Sequence, residues 1–170
     1  MKNVFKLSAM SLVLALSVSS YAAEHKHHAN VSHEKGAQAL SSDLRGLLTQ
    51  EMISIQKAMM SMIPELAAGN YDKVAKIAKQ IKESFILKQK LTKEQKRELH
   101  HKLPNRFVEM DGEFHKDAGM LAHVSQKKNA ELANFYFSKM NNACVNCHAK
   151  FATHKFPAFI TKDKKSEHHH

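Results

Sequence analysis

Two cysteines and a histidine carry the clearest chemistry in this sequence. Cys144-Val145-Asn146-Cys147-His148 holds the only two cysteines of the 170-residue chain. Cys-x-x-Cys-His is the spacing at which a c-type haem is attached. Two thiols add across the vinyl groups of a porphyrin, and the histidine after the second thiol offers an axial nitrogen to the iron. On a helix, positions i, i+3 and i+4 share a face, so Cys144, Cys147 and His148 can meet one planar group. A thioredoxin-like redox pair would need a neighbouring strand–helix unit, and no segment reads as a strand. A zinc site would need a fourth ligand at motif-like spacing, and none follows. The expected cofactor is one covalently attached haem c.

The occupant of the iron's other axial position decides what such a haem does. A methionine thioether gives low-spin iron of raised potential, suited to moving single electrons. An apolar residue instead leaves five-coordinate iron that binds small gases such as NO or CO. The chain has nine methionines, most of which would be ordinary core filler on helical stripes. Met140 lies one turn before Cys144 on the same expected helix, cannot easily reach the opposite haem face, and is read as core. His115 and His123 are rival ligands, but their helical phase differs from that of Phe107, Phe114 and Leu121, so surface or boundary positions are expected. Arg45 and Arg106 are candidate partners for haem propionates, with surface solvation the plainer reading.

Four amphipathic helices must position these groups. Ser42 and Asp43 offer an N-cap. The apolar residues Leu44, Leu48, Met52, Ile55, Met59, Met62 and Leu66 then keep helical spacing. Pro64 should kink or break that helix near its end, and Gly69-Asn70 makes a turn. A second helix follows Tyr71-Asp72, with Val74, Ile77, Ile81 and Phe85 on its buried face and Lys73, Lys76, Lys79 and Lys82 on the wet side. Thr92 and Gln95 form a capping-box pattern that predicts a short helix over 92–102, before Pro104. A third long helix is expected over 105–124, burying Phe107, Met110, Phe114 and Leu121, with Gly112 or Gly119 allowing close approach of a neighbour. Lys127-Lys128-Asn129 is a turn. The last helix carries Leu132, Phe135, Met140 and the haem motif toward Phe151, limited by Pro157. The fold class expected is all-α, an antiparallel four-helix bundle with covalently bound haem c.

Residues 1–22 have the layout of a secretory signal peptide: basic Lys2 and Lys6, an apolar run from Leu7 to Val18, and a small-x-small site at Ser20 and Ala22. That run is too short for a stable span, so a soluble, exported, periplasmic protein is expected. Residues 23–39, with His25, His27, His28 and His33, read as a disordered arm. Residues 40–156 read as the bundle and 157–170 as a flexible tail. The formal charge of +10 drops by two if the signal is removed. Export and the lack of any reader motif argue against nucleic acid. An acidic redox partner or an anionic membrane surface suits the charge better. Hydrolytic catalysis would want a nucleophile–base pair, which is missing, so no enzyme is expected.

A carboxy-terminal Cys-x-x-Cys-His on the last of four helices resembles the cytochrome c′ family, which includes low-spin Met/His members. The resemblance spans roughly 40–155. It draws on Asp43-Leu44-Arg45, the Met59-Met60 pair, Ala67-Ala68-Gly69 followed by Tyr71-Asp72, and Cys144 to Phe151. It implies that the distal ligand lies two turns before the Met-Met pair, which is Met52, with Met59 and Met62 the next candidates. Family members often carry an arginine four residues after the haem histidine; here that position is Ala152, with Lys150 and Lys155 the nearby cations. The resemblance also implies a possible homodimer. The leading expectation is an electron carrier with Cys144 and Cys147 tethering the haem, His148 proximal and Met52 distal. The alternatives are a five-coordinate gas-binding haem protein and a histidine-rich metal carrier.

Overall fold

The computed structural model describes residues 36–160. The expected signal segment 1–22, the arm residues 23–35 and the tail residues 161–170 lie outside the described residues. Helix α1 spans Ser42–Ala67. Leu44, Leu48, Ile55, Met59 and Met62 are buried along it as the periodicity predicts. Glu51 is buried in register with them, 1% exposed. The stripe facing the interior is therefore 44-48-51-55-59-62, in alternating steps of four and three. Met52 sits beside this stripe, half-buried.

Pro64 does not end α1, which runs one turn further to Ala67. Met60, whose carbonyl loses its usual donor, lies on the exposed side of the helix. The helix closes instead at Gly69, with φ +71°. The Asn70 N–H donates to the Glu65 carbonyl at 2.9 Å and the Gly69 N–H to the Leu66 carbonyl at 3.1 Å. That pair of bonds is a Schellman closure, and it favours glycine at the left-handed position.

Helix α2 spans Tyr71–Glu83 and buries Val74, Ala75, Ala78 and Ile81. It stops before Phe85 because Ser84 turns the chain at φ 61°, ψ 151°, a conformation that costs a non-glycine residue energy. Helix α3, Lys93–Lys102, opens on the expected capping box: the Gln95 N–H donates to Thr92 Oγ1, and the Thr92 N–H to Gln95 Oε1. It buries none of its residues. Helix α4 spans Asn105–Gln126 and helix α5 Ala130–Phe151. Between them Lys128 takes φ 55°, and the Asn129 side chain caps α5 by accepting the Leu132 N–H at 3.0 Å.

No strand occurs among the described residues. Packing runs α1 to α2, α2 to α4 and α4 to α5; α1 and α5 approach each other sparsely. Gly119 admits a neighbour: the Lys82 stem lies 3.1 Å from where a Cβ would stand, whereas Gly112 faces open space. Two apolar clusters fill the interior. The larger joins Ile55, Ile81, Phe114, Leu121 and Met140. The smaller joins Leu40, Leu44, Leu48, Leu91 and Leu103. Among the described residues, Met52 is the one that packs against both. Residues 36–39, expected to belong to the arm, are packed against the fold, with Gly36 buried and Ala37 against the smaller cluster. A side chain at Gly36 would meet Phe151 at 3.0 Å, so its hydrogen lets the Ala37–Ala39 turn approach the end of α5.

His115 departs from the sequence expectation. It is buried, 5% exposed, with its Nδ1 2.7 Å from the Ile81 carbonyl oxygen and its Nε2 3.6 Å from Asp111 Oδ1. A phase count over apolar residues alone missed it, because the carbonyl at the end of α2 offers a polar partner inside. His123 is exposed, as expected.

Candidate functional site

Helix α5 carries Cys144, Cys147 and His148, all half-buried, and the two cysteines are unpaired thiols. Their directions follow from the helix period. Cys144 packs against the larger cluster. Cys147 lies near Asp111 of α4, close enough for the carboxylate to help push its thiol up. One turn on, Phe151 meets Phe107 of α4 edge-to-face, with centroids 5.2 Å apart. His148 is the next position around the helix from Cys147 and so is rotated away from the line that meets α4. On α1, Met52 is likewise rotated off the stripe whose Glu51 reaches the end of α2.

The ionisation states follow from burial. Burial raises the Cys144 thiol above its ordinary value. Burial first, then the charges of Asp111 and Cys144, push Cys147 up to about 11. Burial also lowers the His148 imidazole below 6.5. At neutral pH the site therefore offers two protonated thiols and a neutral imidazole, whose ring nitrogen has a lone pair to give.

The imidazole is also held. After α5 the chain turns back through the Lys155 and Phe156 N–H groups, which donate to the Ala152 carbonyl at 2.8 and 3.0 Å. That turn lays the Phe156 ring on His148, centroids 4.4 Å apart and planes 18° from parallel. Lys155 Nζ donates to Thr49 Oγ1 on α1 at 3.3 Å. Lys150 Nζ lies 5.6 Å from the centroid of the Phe151 ring.

A cleft of ≈290 Å³ is walled by Leu48, Leu87, Leu91, Leu103 and Phe107 and bounded by Asp111; Cys144, Cys147 and His148 do not line it. It shares Leu48, Leu91 and Leu103 with the smaller cluster, whose border is Met52. The fit to a haem is chemical: two thiols and an imidazole along one side of a helix, and a thioether at the seam of two apolar clusters. Among the described residues no three His, Cys, Asp or Glu side chains converge as a metal ion's ligands would. Of the other candidates, Met59, Met62 and Met140 are buried as packing residues of the larger cluster. Arg106 pairs with Glu109 at 3.2 Å, and the Arg45 guanidinium donates to the Leu40 carbonyl.

Sequence reasoning missed Glu51, Phe156 and Asp111. The α1 register contained the signal for Glu51, which fills the stripe position between Leu48 and Ile55. Phe156 and Asp111 owe their places to the fold and had no motif. No family model, no curated protein and no solved structure matches this chain. No helix among the described residues is long and apolar enough to cross a membrane.

Proposed function

We propose that this chain is an exported monohaem c-type cytochrome, similar to the low-spin members of the cytochrome c′ family, that carries single electrons between periplasmic partners. The observation that carries the reading is the joint placement of Cys144, Cys147 and His148 on one half-buried side of α5. When bound, the haem supplies one-electron redox chemistry. Cys144 and Cys147 would tether it, and both are protonated thiols, the form that adds to a vinyl group. His148 would be the proximal ligand, neutral because it is buried. Met52 would be the distal ligand. An apolar surround would exclude water, favour the less charged state of the iron and raise the potential.

Export is supported by the signal-like layout of residues 1–22 and by the two cysteines being committed to the cofactor instead of a disulfide. The basic surface suits an acidic redox partner, and a homodimer is compatible with the exposed apolar residues Ile53, Met60 and Ile63 on α1. The test is the visible spectrum of protein expressed with haem-attachment machinery, oxidised and reduced. Low-spin bands with a thioether-to-iron charge-transfer feature at the red edge support the carrier. High-spin bands with rapid carbon monoxide binding replace it with the gas-binding reading. Release of the pigment into acid acetone rejects both.

A further inference from the structure

We propose that the cavity where the turn after α5 meets the first turns of α1 is a binding site for a small free oxyanion of the phosphate or sulfate class. The cavity measures ≈410 Å³ and is lined by Gln38, Arg45, Gly46, Thr49, His154 and Lys155. Among the described residues no aspartate or glutamate lines it. None of Cys144, Cys147, His148 and Met52 lines it either, so the site stands apart from any haem.

Three segments far apart in sequence assemble it. Gly36 lets the Ala37–Ala39 turn close on Phe151, which brings Gln38. The turn after α5, closed by the Ala152 carbonyl, brings His154 and Lys155. Arg45, Gly46 and Thr49 come from α1. Gly46 supplies the room, since a Cβ there would meet nothing within 4 Å.

Arg45 and Lys155 are positioned by neutral acceptors. The Arg45 guanidinium donates to the Leu40 carbonyl. Lys155 Nζ donates to Thr49 Oγ1 at 3.3 Å, and that hydroxyl donates to the Arg45 carbonyl at 2.9 Å. Neither cation has a carboxylate within ion-pair distance among the described residues. A neutral acceptor aims a cation without cancelling its charge, and one such bond leaves most of a guanidinium's or ammonium's donors unspent. Two like charges lining one cavity repel each other. An anion with several acceptor oxygens between them turns that repulsion into attraction and takes up the spare donors. The Gln38 amide and the His154 ring offer further donors.

The experiment titrates inorganic phosphate into the full chain as isolated, at constant ionic strength set with chloride, and reads NMR shifts and the thermal midpoint. Expected are saturable shifts centred on Gln38 and residues 45–49 and 152–156, and a midpoint that rises with phosphate. The Lys155 and Phe156 amides, which close the turn after α5, should exchange more slowly with phosphate bound. Arg45→Gln and Lys155→Gln should each weaken binding about three- to tenfold, with Arg45→Lys and Lys155→Arg returning part of it. Gly46→Asp sets a carboxylate in the cavity and should abolish binding, whereas Gly46→Ala adds only a methyl group to open space and should keep it. Linear shifts that chloride reproduces are charge screening and overturn the site. So does saturable binding that ignores Arg45→Gln, Lys155→Gln or Gly46→Asp.

Discussion

The imidazole of His148 and the ring of Phe156 lie nearly parallel, centroids 4.4 Å apart, across a tight turn at the end of α5. Stacking occupies one π-face of the imidazole. The lone pair and the N–H lie in the ring plane, so both nitrogens stay free for a metal or a hydrogen bond. The contact fixes the ring's orientation without consuming its chemistry.

Phe156→Leu keeps an apolar side chain and removes the stack. In the haem-free chain the His148 ring protons should lose their upfield ring-current shift, read by NMR. Denaturant midpoints should fall by about 0.5–1.5 kcal/mol, the range for an aromatic pair. In the haem-loaded protein the spread of haem methyl shifts should change, and Phe156→Tyr should restore it. Unmoved His148 resonances would show that the stack does not persist in solution.

Met52→Ala tests the distal position. Because Met52 is half-buried at the seam of two clusters, the stability cost should be about 1–2 kcal/mol, below the usual range for a fully buried methionine. The spectrum should change far more than the stability: low-spin bands give way to high-spin bands, and carbon monoxide binds quickly. An unchanged spectrum moves the ligand to another residue.

Glu51 accepts from the Ser84 hydroxyl at 2.7 Å, the Phe85 N–H at 3.0 Å and the Ile86 N–H at 2.6 Å. Glu51→Ala leaves those buried donors unmet and should cost about 3 kcal/mol or more in urea unfolding. Ser84→Ala and Ser84→Gly both lose the hydroxyl, yet only glycine relaxes φ 61°. The glycine variant should therefore be the more stable of the two by about 1 kcal/mol. Equal midpoints would mean that Ser84 is not held in that conformation.

Thiol reactivity in the haem-free chain should follow the site's electrostatics. With Cys147 pushed up from 9.0 to about 11, its thiolate fraction at pH 8 is about a hundredfold below that of an ordinary cysteine, and alkylation should slow accordingly. Burial is the larger cause, so Asp111→Asn should recover only part of the rate. The folded state binds this proton more tightly than the unfolded one, so folding stability should fall as pH rises from 9.0 toward 11 and level off beyond. His148 has the opposite sign. Its imidazole is held below 6.5 by burial, so its contribution is present above that pH and is lost as pH falls through the lowered value.

Much of the architecture was legible because α1 follows its apolar periodicity closely, from Leu44 to Met62, and because Thr92–Gln95 spells its own helix start. That Cys144, Cys147 and His148 share one helix was legible for the same local reason, since the spacing fits within one helical turn and a residue. What escaped was polar and long-range. Glu51 and His115 were read past because a count of apolar residues leaves no place for a carboxylate or an imidazole inside. Their partners, the turn after Ser84 and the Ile81 carbonyl, lie more than thirty residues away. Pro64 was expected to kink or break α1 near its end; the helix runs three residues past it and closes at the expected Gly69-Asn70 turn, since a proline on the exposed side removes one donor while a left-handed glycine completes two bonds.

Glu51 and Met52 are consecutive, so they point about a quarter-turn apart on the same helix. The carboxylate keys α1 to the chain after Ser84, and that key sets which way the sulfur beside it is aimed. Swinging the thioether aside by rolling the helix would mean tearing a buried carboxyl group from its three donors. The mount is stiff whatever the sulfur serves.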